Sequence, residues 1–252
     1  MTLKFNPNNH SYRLDGRPVP GVTTLLGKGL PKPAIPYWAA KSVAEYVIDN
    51  AEGVEQLRSM GRGPAVAALK QVPWQKRDEA AVRGTDVHAL AERVVHGEPV
   101  DVPAHLVDHV EGYARWVDTF ALEPILTERP VASRTNWYAG TFDLVGRIGD
   151  TTWGLDIKTS TGIYGETALQ IAAYMRAEFY LDHIGAEQPL PAVDRIGALH
   201  VTAGGTCLIP LLNTVDDIDV AHRTFLHIAY VAKRTDWIKG LVGQPIEEPT
   251  HV

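Results

Sequence analysis

A single tight turn constrains this chain more than any other feature of its sequence. Ile148-Gly149-Asp150-Thr151 carries a Gly-Asp pair typical of a two-residue hairpin loop, and extended patterns lie on both sides of it. Antiparallel partners then follow by counting outward from the loop, which sets Asp143 opposite Asp156 and Thr141 opposite Lys158. Because side chains alternate across a strand, these four residues are predicted to share one face of the sheet.

The two opposed carboxylates of this hairpin indicate a metal site. Directly opposed residues have Cβ atoms about 4.5–5.5 Å apart, so two carboxylates there repel and shift each other's pKa. Bound Mg²⁺ or Mn²⁺ would remove the repulsion, because hard cations select oxygen ligands, and Lys158 would hold a water or a phosphate oxygen beside the ion. A solvated hairpin of mixed charge is the alternative. The opposite face of the hairpin favours a metal site over this alternative, because that face is predicted to pack in the core. Its residues are Phe142, Leu144, Trp153, Leu155 and Ile157.

The order of helical and extended patterns along the 252 residues predicts one α+β domain. Helices are predicted at about 36–50, 51–70, 85–97, 103–120, 166–184 and 215–240, with Thr85 and Thr214 as N-caps and Gly97 as a C-cap. Strands are predicted at about 125–133, 137–148 and 151–159, followed by a hairpin near 195–212. This order favours a mixed sheet over regular βαβ alternation. We divide the domain into a basic N-terminal region (1–83), a core (84–212) and a C-terminal helix (213–252).

Two pairs of polar residues lie four positions apart in predicted helices. His88 and Glu92 share a helical face, where a neutral imidazole can bind a metal and a carboxylate can order a metal-bound water. Gln170 and Tyr174 repeat the spacing on the helix that follows the hairpin. Taken alone, the first pair is more simply a surface contact and the second an ordinary amphipathic pattern. The chain lacks His-Glu-x-x-His, so the sequence does not support zinc-protease chemistry.

Composition excludes several classes of protein. The single cysteine, Cys207, rules out an internal disulfide framework, a four-cysteine zinc site and a cysteine-held iron–sulfur cluster. The stretch from Gly21 to Gly29 has the wrong glycine spacing for a phosphate-binding P-loop, so no nucleotide cofactor is expected. The net charge of −6 is divided unevenly, with 12 Lys and Arg against 7 Asp and Glu in residues 1–83 and 12 against 23 in the rest. No signal peptide or membrane helix is expected, so we expect a cytoplasmic protein without membrane contacts.

Taken in order, the motifs read His88-x-x-x-Glu92, Gly140-Thr141-Phe142-Asp143, Asp156-Ile157-Lys158-Thr159 and Gln170-x-x-x-Tyr174. This series resembles the PD-(D/E)XK nuclease superfamily, specifically the RecB-like exonucleases, over residues 84–180. The stretch from His10-Ser11-Tyr12 to Lys32-Pro33-Ala34 resembles the lead-in of phage-encoded members. Asp156 stands where these nucleases more usually have Glu, which leaves the number of metal ions open.

The resemblance implies a restriction-endonuclease-like αβββαβ core, with a mixed central sheet flanked by helices and with helical N-terminal additions. It implies one or two Mg²⁺ or Mn²⁺ ions, no iron–sulfur cluster, and metal ligands from His88, Asp143, Asp156 and the main-chain carbonyl of Ile157. Lys158 would orient the attacking water, and Gln170 and Tyr174 would support the site and the DNA strand. The residues with implied catalytic roles are Lys158, Asp156, Asp143, Gln170, Tyr174 and Glu92.

The function that the resemblance implies is metal-dependent DNA exonuclease activity in phage-type recombination or DNA processing. The DNA backbone would meet the basic N-terminal region, where Lys70, Lys76 and Arg77 flank Trp74, an aromatic residue that can stack on a base. A structure-selective endonuclease on the same core and a non-catalytic DNA-binding or assembly protein are the alternatives. Further expectations are a single-strand annealing or recombination protein as partner, an oligomer, and the cytoplasm of a bacterial host if the chain is phage-encoded.

Overall fold

The chain, seen here as a computed structural model that describes residues 2–6 and 9–246, begins with a small antiparallel sheet. Its strands are β1 (Leu3–Asn6), β2 (Ser11–Leu14) and β3 (Arg17–Val19), in that order. Asp15 and Gly16 form the two-residue turn between β2 and β3, and both have positive φ, as a type I′ turn requires. The Asp-Gly turn expected from the sequence is therefore confirmed.

Four helices follow the small sheet, and the last of them is longer than predicted. They are α1 (Val22–Gly29), α2 (Ala34–Asp49), α3 (Ala51–Ser59) and α4 (Arg62–Val95). The predicted helix start at Thr85 is wrong, because its hydroxyl donates to the Ala81 carbonyl inside a continuous helix. A single glycine such as Gly84 costs only about 1 kcal/mol in a helix interior, which does not suffice to end α4. Gly97, with φ of +71°, follows the end of α4 as expected.

The rest of the chain builds a mixed seven-stranded sheet flanked by helices. Its elements are α5 (Val107–Thr119), β4 (Glu123–Ser133), β5 (Tyr138–Ile148), β6 (Thr151–Lys158), α6 (Glu166–Met175), β7 (Phe179–Leu181), β8 (Glu187–Gln188), β9 (Arg195–Thr202), β10 (Gly205–Leu212), α7 (Val215–Ala232) and α8 (Thr235–Lys239). The strand order is β10-β9-β6-β5-β4-β7-β8, and only the β6–β9 pair is parallel among the described strands. The α+β prediction is confirmed, as is the Thr214 cap, which accepts from the Asp217 N–H.

Three predicted helix ends are wrong. The helix expected at 51–70 ends at Ser59, and α4 begins at Arg62 after Gly61, whose φ is +84°. The helix expected at 166–184 ends at Met175, because Phe179–Leu181 pairs instead with β4 as an extra strand. The final helix is interrupted after Ala232, and a short helical segment, Thr235–Lys239, completes it. No helix in the described part of the chain is long and apolar enough to cross a membrane.

The central hairpin has the predicted register, but its ladder is shorter than predicted. Pairing runs from Ile148–Thr151 to Leu144–Leu155, as counting from the Gly149-Asp150 turn requires. The predicted Asp143–Asp156 pair lies beyond the last ladder pair, and so does the pair of Thr141 with Lys158. The strands β5 and β6 therefore stop pairing just where the acidic residues begin.

The sheet separates two buried clusters, and the side chains of β5 do not alternate strictly between them. The cluster on one face includes residues of α1, α6 and α7, and that on the other includes residues of α4 and α5. Phe142 and Val145 belong to the first cluster although they are three residues apart, and Leu144 belongs to the second. The prediction that Phe142 shares a face with Leu144 is therefore wrong. Strict alternation fails where the β5–β6 ladder has ended, at Asp143.

Candidate metal centre

Asp143 lies where β5 leaves its partner strand, and its side chain takes over part of the strand pairing. Its Oδ2 accepts a hydrogen bond of 2.6 Å from the backbone N–H of Ile157 on β6. The same oxygen lies 3.5 Å from Nδ1 of His88 on α4. The carboxylate thus joins both strands of the hairpin to a helix on one face of the sheet.

His88 lies beside two groups that were expected to bind the same metal, the Ile157 carbonyl and the Asp143 carboxylate. Its Nε2 lies 2.8 Å from the Ile157 carbonyl oxygen, and its Nδ1 faces the Asp143 carboxylate. Burial disfavours the charged ring, but Asp143 and the neighbouring carboxylates Glu128 and Asp156 outweigh burial and raise the pKa of His88 to about 9. In the absence of a metal the ring is therefore protonated at neutral pH, and both nitrogens donate.

Glu128 on β4 is a third group of this site, and the sequence did not reveal it. Its Oε1 lies 3.8 Å from Nδ1 of His88, and one ligand atom each from His88, Glu128 and Asp143 lie within 4.8 Å of one another. The β4–β5 partners pass from Thr127–Leu144 to Arg129–Phe142, and Glu128 between them has φ of +46°. That backbone conformation is unusual for a non-glycine residue and occurs where the carboxylate turns toward His88.

Asp156 is held from the other side, by residues of its own strand and of α6. Its Oδ1 accepts a hydrogen bond of 2.9 Å from Nε2 of Gln170, and the same nitrogen lies 3.3 Å from the Tyr174 hydroxyl. Its buried Oδ2 forms an ion pair of 2.5 Å with Nζ of Lys158, but among the described residues it receives no hydrogen bond of good geometry. The structure therefore brings Gln170 and Lys158 to Asp156, with Tyr174 beside Gln170, in the part of the fold where the resemblance puts them.

The ionisable groups of the site influence one another strongly. Burial and the charge of Asp143 raise the pKa of Asp156 to about 6, although Lys158 opposes that increase. Burial also raises the pKa of Asp143, against the effect of the His88 charge. Burial would lower the pKa of Lys158, but Asp156 and Asp143 reverse the effect and raise it. Two buried acids are thus neutralised by two cations, His88 and Lys158, when no metal is bound.

The donor set fits a hard divalent cation. The Glu128 and Asp143 carboxylates approach Nδ1 of His88, and the Ile157 carbonyl contacts the other ring nitrogen, Nε2. Carboxylate and carbonyl oxygens suit Mg²⁺ and Mn²⁺. The incompletely bonded Oδ2 of Asp156 offers a further oxygen, although Asp156 lies outside the group of His88, Glu128 and Asp143.

The remaining predicted residues lie on α4 at different distances from this centre. Glu92 lies one turn after His88 and lines the cavity that opens beside it. Lys70, Trp74, Lys76 and Arg77 precede the part of α4 that lines the cavity, and Lys70 is about 27 Å from His88 along the helix axis, since each residue adds about 1.5 Å.

Three of the four residues expected to bind nucleic acid, Trp74, Lys76 and Arg77, already contact neighbouring side chains. Lys76 pairs with Glu45 at 3.2 Å, and Arg77 pairs with Asp78 and lies over the ring of Trp74, 4.9 Å from its centroid. Trp74 lies within α4 and not in a loop, and 41% of its surface is exposed. The structure therefore places this group away from the candidate metal centre, on the N-terminal half of α4.

A cavity of about 600 Å³ opens beside the metal centre, between α4 and the N-terminal sheet. Its lining includes His88, Glu128 and Asp143 on one side and the rings of Phe5, His10 and Tyr12 on the other. The Tyr12 hydroxyl lies 3.0 Å from the Thr141 hydroxyl, two residues before Asp143. The N-terminal strands thus form one wall of the cavity, which the charge pattern of residues 1–83 did not indicate.

Comparison with known proteins adds little beyond the geometry. No protein-family model and no curated protein matches the chain. A solved structure described as "Crystal structure of SSO0001" is similar over 54% of this chain and 64% of its own, with a TM-score of 0.30 and 14% sequence identity. The chain therefore spans less than two thirds of that structure, and so low a score carries no argument about function.

Proposed function

We propose that this protein is a metal-dependent deoxyribonuclease with a restriction-endonuclease-like core, and that it acts as an exonuclease on linear DNA. One observation carries the proposal: the group of His88, Glu128 and Asp143 and the Asp156–Lys158 ion pair lie where the central hairpin stops pairing, close enough for their charges to interact. A solvated hairpin of mixed charge, the alternative from sequence, does not account for an Asp156 side chain that is only 3% exposed. Burying several charges is costly even when they are paired, so such a cluster is a candidate functional site.

The proposed metal ligands are His88, Glu128, Asp143, Asp156 and the Ile157 carbonyl. Bound Mg²⁺ or Mn²⁺ would polarise a phosphoryl oxygen and lower the pKa of a coordinated water. For the imidazole to be a ligand, His88 must first lose the proton that the surrounding carboxylates stabilise. The protein's own contribution is to hold several acidic groups close together in a buried place, where a bound divalent cation would relieve the repulsion between them.

Lys158 is proposed to act as a hydrogen-bond donor and not as a base. Its pKa is raised by Asp156 and Asp143, so the ammonium group stays charged at neutral pH. A charged ammonium can orient a water molecule and stabilise negative charge that develops on the scissile phosphate. Gln170 fixes Asp156 through its 2.9 Å hydrogen bond, and Asp156 in turn fixes Lys158.

The test is incubation of end-labelled linear DNA and closed-circular DNA with the protein and Mg²⁺ or Mn²⁺. The proposal predicts loss of label from the linear DNA, an intact circle, and no reaction in EDTA. Cleavage of both forms would replace the exonuclease by an endonuclease on the same core. If neither form is cleaved while both are bound, the chain is a non-catalytic DNA-binding or assembly protein.

A further inference from the structure

The cavity beside the metal centre has an aromatic wall that the proposed chemistry does not use. Phe5 and Tyr12 are cross-strand partners on β1 and β2, and their rings stack with centroids 5.0 Å apart and an interplanar angle of 21°. His10 adds a third ring, 5.9 Å from that of Phe5. All three residues line the cavity.

This aromatic wall is held in a fixed position relative to the metal centre. The Tyr12 hydroxyl bonds to Thr141, and the N–H of Ala139 on β5 donates to the Pro20 carbonyl at 3.0 Å. Next to the rings, Leu3 and Leu14 are buried in a cluster shared with strands of the main sheet, and Tyr12 packs against that cluster. Ordering a loop on binding would cost free energy, whereas a wall fixed in this way is already in place.

The opposite side of the cavity presents small side chains to the rings. Ala81, Gly84 and Thr85 line it from α4, one to two turns before His88. Small residues leave the space in front of the rings open, and the resulting volume of about 600 Å³ lies in the range of pockets for small ligands. A pocket of this size takes a nucleotide or two but not a duplex.

The cavity is also divided by charge. Among its described lining residues there is no Lys or Arg, while Glu92, Glu128 and Asp143 lie at the end where His88 is. A phosphate is therefore attracted to the end that holds His88 and would hold the metal ion, which leaves the aromatic end to an uncharged, flat group. A nucleotide combines both groups in one molecule, a charged phosphate and an uncharged, flat base.

We propose that the aromatic wall of Phe5, His10 and Tyr12 binds one unpaired nucleobase of the DNA strand that is cut at the metal centre. The inference rests on the proposed nuclease function. It specifies the substrate of that nuclease as a DNA strand whose end is unpaired where it enters the site. Stacking on aromatic side chains tolerates every base, so the wall contributes affinity without sequence preference. Enzymes that act on single nucleotides commonly hold an unstacked base against aromatic side chains in this way.

The test uses a single-stranded oligonucleotide that carries 2-aminopurine at one end, at the other end, or in the middle. Its fluorescence and anisotropy are followed as the full-length protein is added with Ca²⁺ in place of Mg²⁺, to slow cleavage. We expect quenching at one terminal position and none in the middle. Phe5→Ala should abolish the quenching and weaken binding about tenfold, and Phe5→Tyr, which keeps a ring, should restore both.

Phe5→Leu serves as the matched control, because it keeps apolar volume on β1 but has no ring. Thermal unfolding of each variant checks that the small sheet is intact. Full quenching and parental affinity in Phe5→Leu or Phe5→Ala would overturn the aromatic wall as a base-binding site, as would equal quenching at all three positions.

The outcomes separate this inference from the nuclease proposal. A parent protein that cleaves linear DNA but leaves every 2-aminopurine unchanged refutes the base-binding wall alone. A parent protein that quenches a terminal 2-aminopurine but never cleaves refutes the nuclease and retains the wall.

Discussion

The Asp143 carboxylate accepts a hydrogen bond from the backbone N–H of Ile157, on the strand from which its own strand has just separated. The carbonyl of the same Ile157 contacts His88 from α4. The backbone of Ile157 is thus linked to β5 through its N–H and to α4 through its carbonyl oxygen. These two contacts hold the carboxylate, the carbonyl and the imidazole at one place, and every proposal about the metal centre depends on them.

Glu128 should be a metal ligand, and Glu128→Gln tests this with almost no change in volume. The substitution removes one charge from the group of three, so we expect Mn²⁺ affinity to fall roughly tenfold or more in isothermal titration calorimetry. Glu92→Gln is the matched control, since Glu92 lines the same cavity but lies outside that group. Equal losses in the two variants would mean that the cavity's total charge, and not coordination by Glu128, determines affinity.

Lys158→Ala should separate chemistry from metal binding. The acidic residues and His88 remain, so Mn²⁺ affinity should be kept or increase, because Asp156 loses its competing cation. Cleavage should slow about 100-fold or more, as when a group that stabilises developing charge is removed. Single-turnover assays on linear DNA give the rate, with Lys239→Ala as the control for loss of an exposed lysine. A Lys158→Ala protein that cleaves at the parental rate would exclude the proposed role.

The raised pKa of His88 makes stability depend on pH when no metal is bound. The folded-state pKa is about 9 against an ordinary 6.5, so the stabilisation from its proton is complete below pH 6.5 and is lost as pH rises through 9. We expect the free energy of unfolding in EDTA to fall by up to about 3 kcal/mol between pH 6.5 and 9, at about 1.4 kcal/mol per pH unit. The measurement is denaturant unfolding at several pH values.

His88→Gln supplies the control for this pH dependence. Glutamine can still donate to the Ile157 carbonyl but does not titrate, so the decline between pH 6.5 and 9 should disappear. An equally steep decline in His88→Gln would assign the effect to other groups. Saturating Mn²⁺ should flatten the parental profile as well, because the ion replaces the proton.

Charge reversal at Lys70, Lys76 and Arg77 tests whether DNA follows α4. If each neutralises a phosphate, the slope of log affinity against log salt should become less steep by about 0.7–0.9 for each residue. Because Lys76 and Arg77 already pair with Glu45 and Asp78, we expect less than the full sum. The matched comparison reverses Lys28, Lys32 and Lys41. A slope changed only by that second set would place the DNA along α1 and α2.

The sequence predicted best what short-range geometry determines. A two-residue loop fixes the partners of every nearby residue, so the turn at Gly149-Asp150 yielded the observed β5–β6 register. Helical spacing likewise put Gln170 and Tyr174 on one face of α6, and Nε2 of Gln170 lies 3.3 Å from the Tyr174 hydroxyl. Both relationships involve residues close along the chain.

Long-range contacts account for what the sequence did not predict. Glu128 could not be assigned to the site, because Ser133 and Tyr138 are joined by four residues that allow no simple count of register. Phe142 and Leu144 lie on opposite faces of the sheet because β5 and β6 stop pairing at Leu144. The local sequence pattern does not indicate where that pairing ends. The aromatic wall needed the docking of the N-terminal sheet beside Thr141, 129 residues away from Tyr12 in sequence.

The most direct test of the central claim is the Mg²⁺-dependent release of nucleotides from linear DNA by the parent protein and by Asp143→Asn. Asparagine keeps the size of the side chain and an oxygen that can accept from Ile157, but it lacks the charge that a cation needs. The account predicts that the parent degrades linear DNA in Mg²⁺ or Mn²⁺ and is inert in EDTA, while Asp143→Asn folds, loses metal affinity and is at least about 100-fold slower. Degradation by Asp143→Asn at the parental rate, or a parent that never cleaves DNA with either metal, would contradict it.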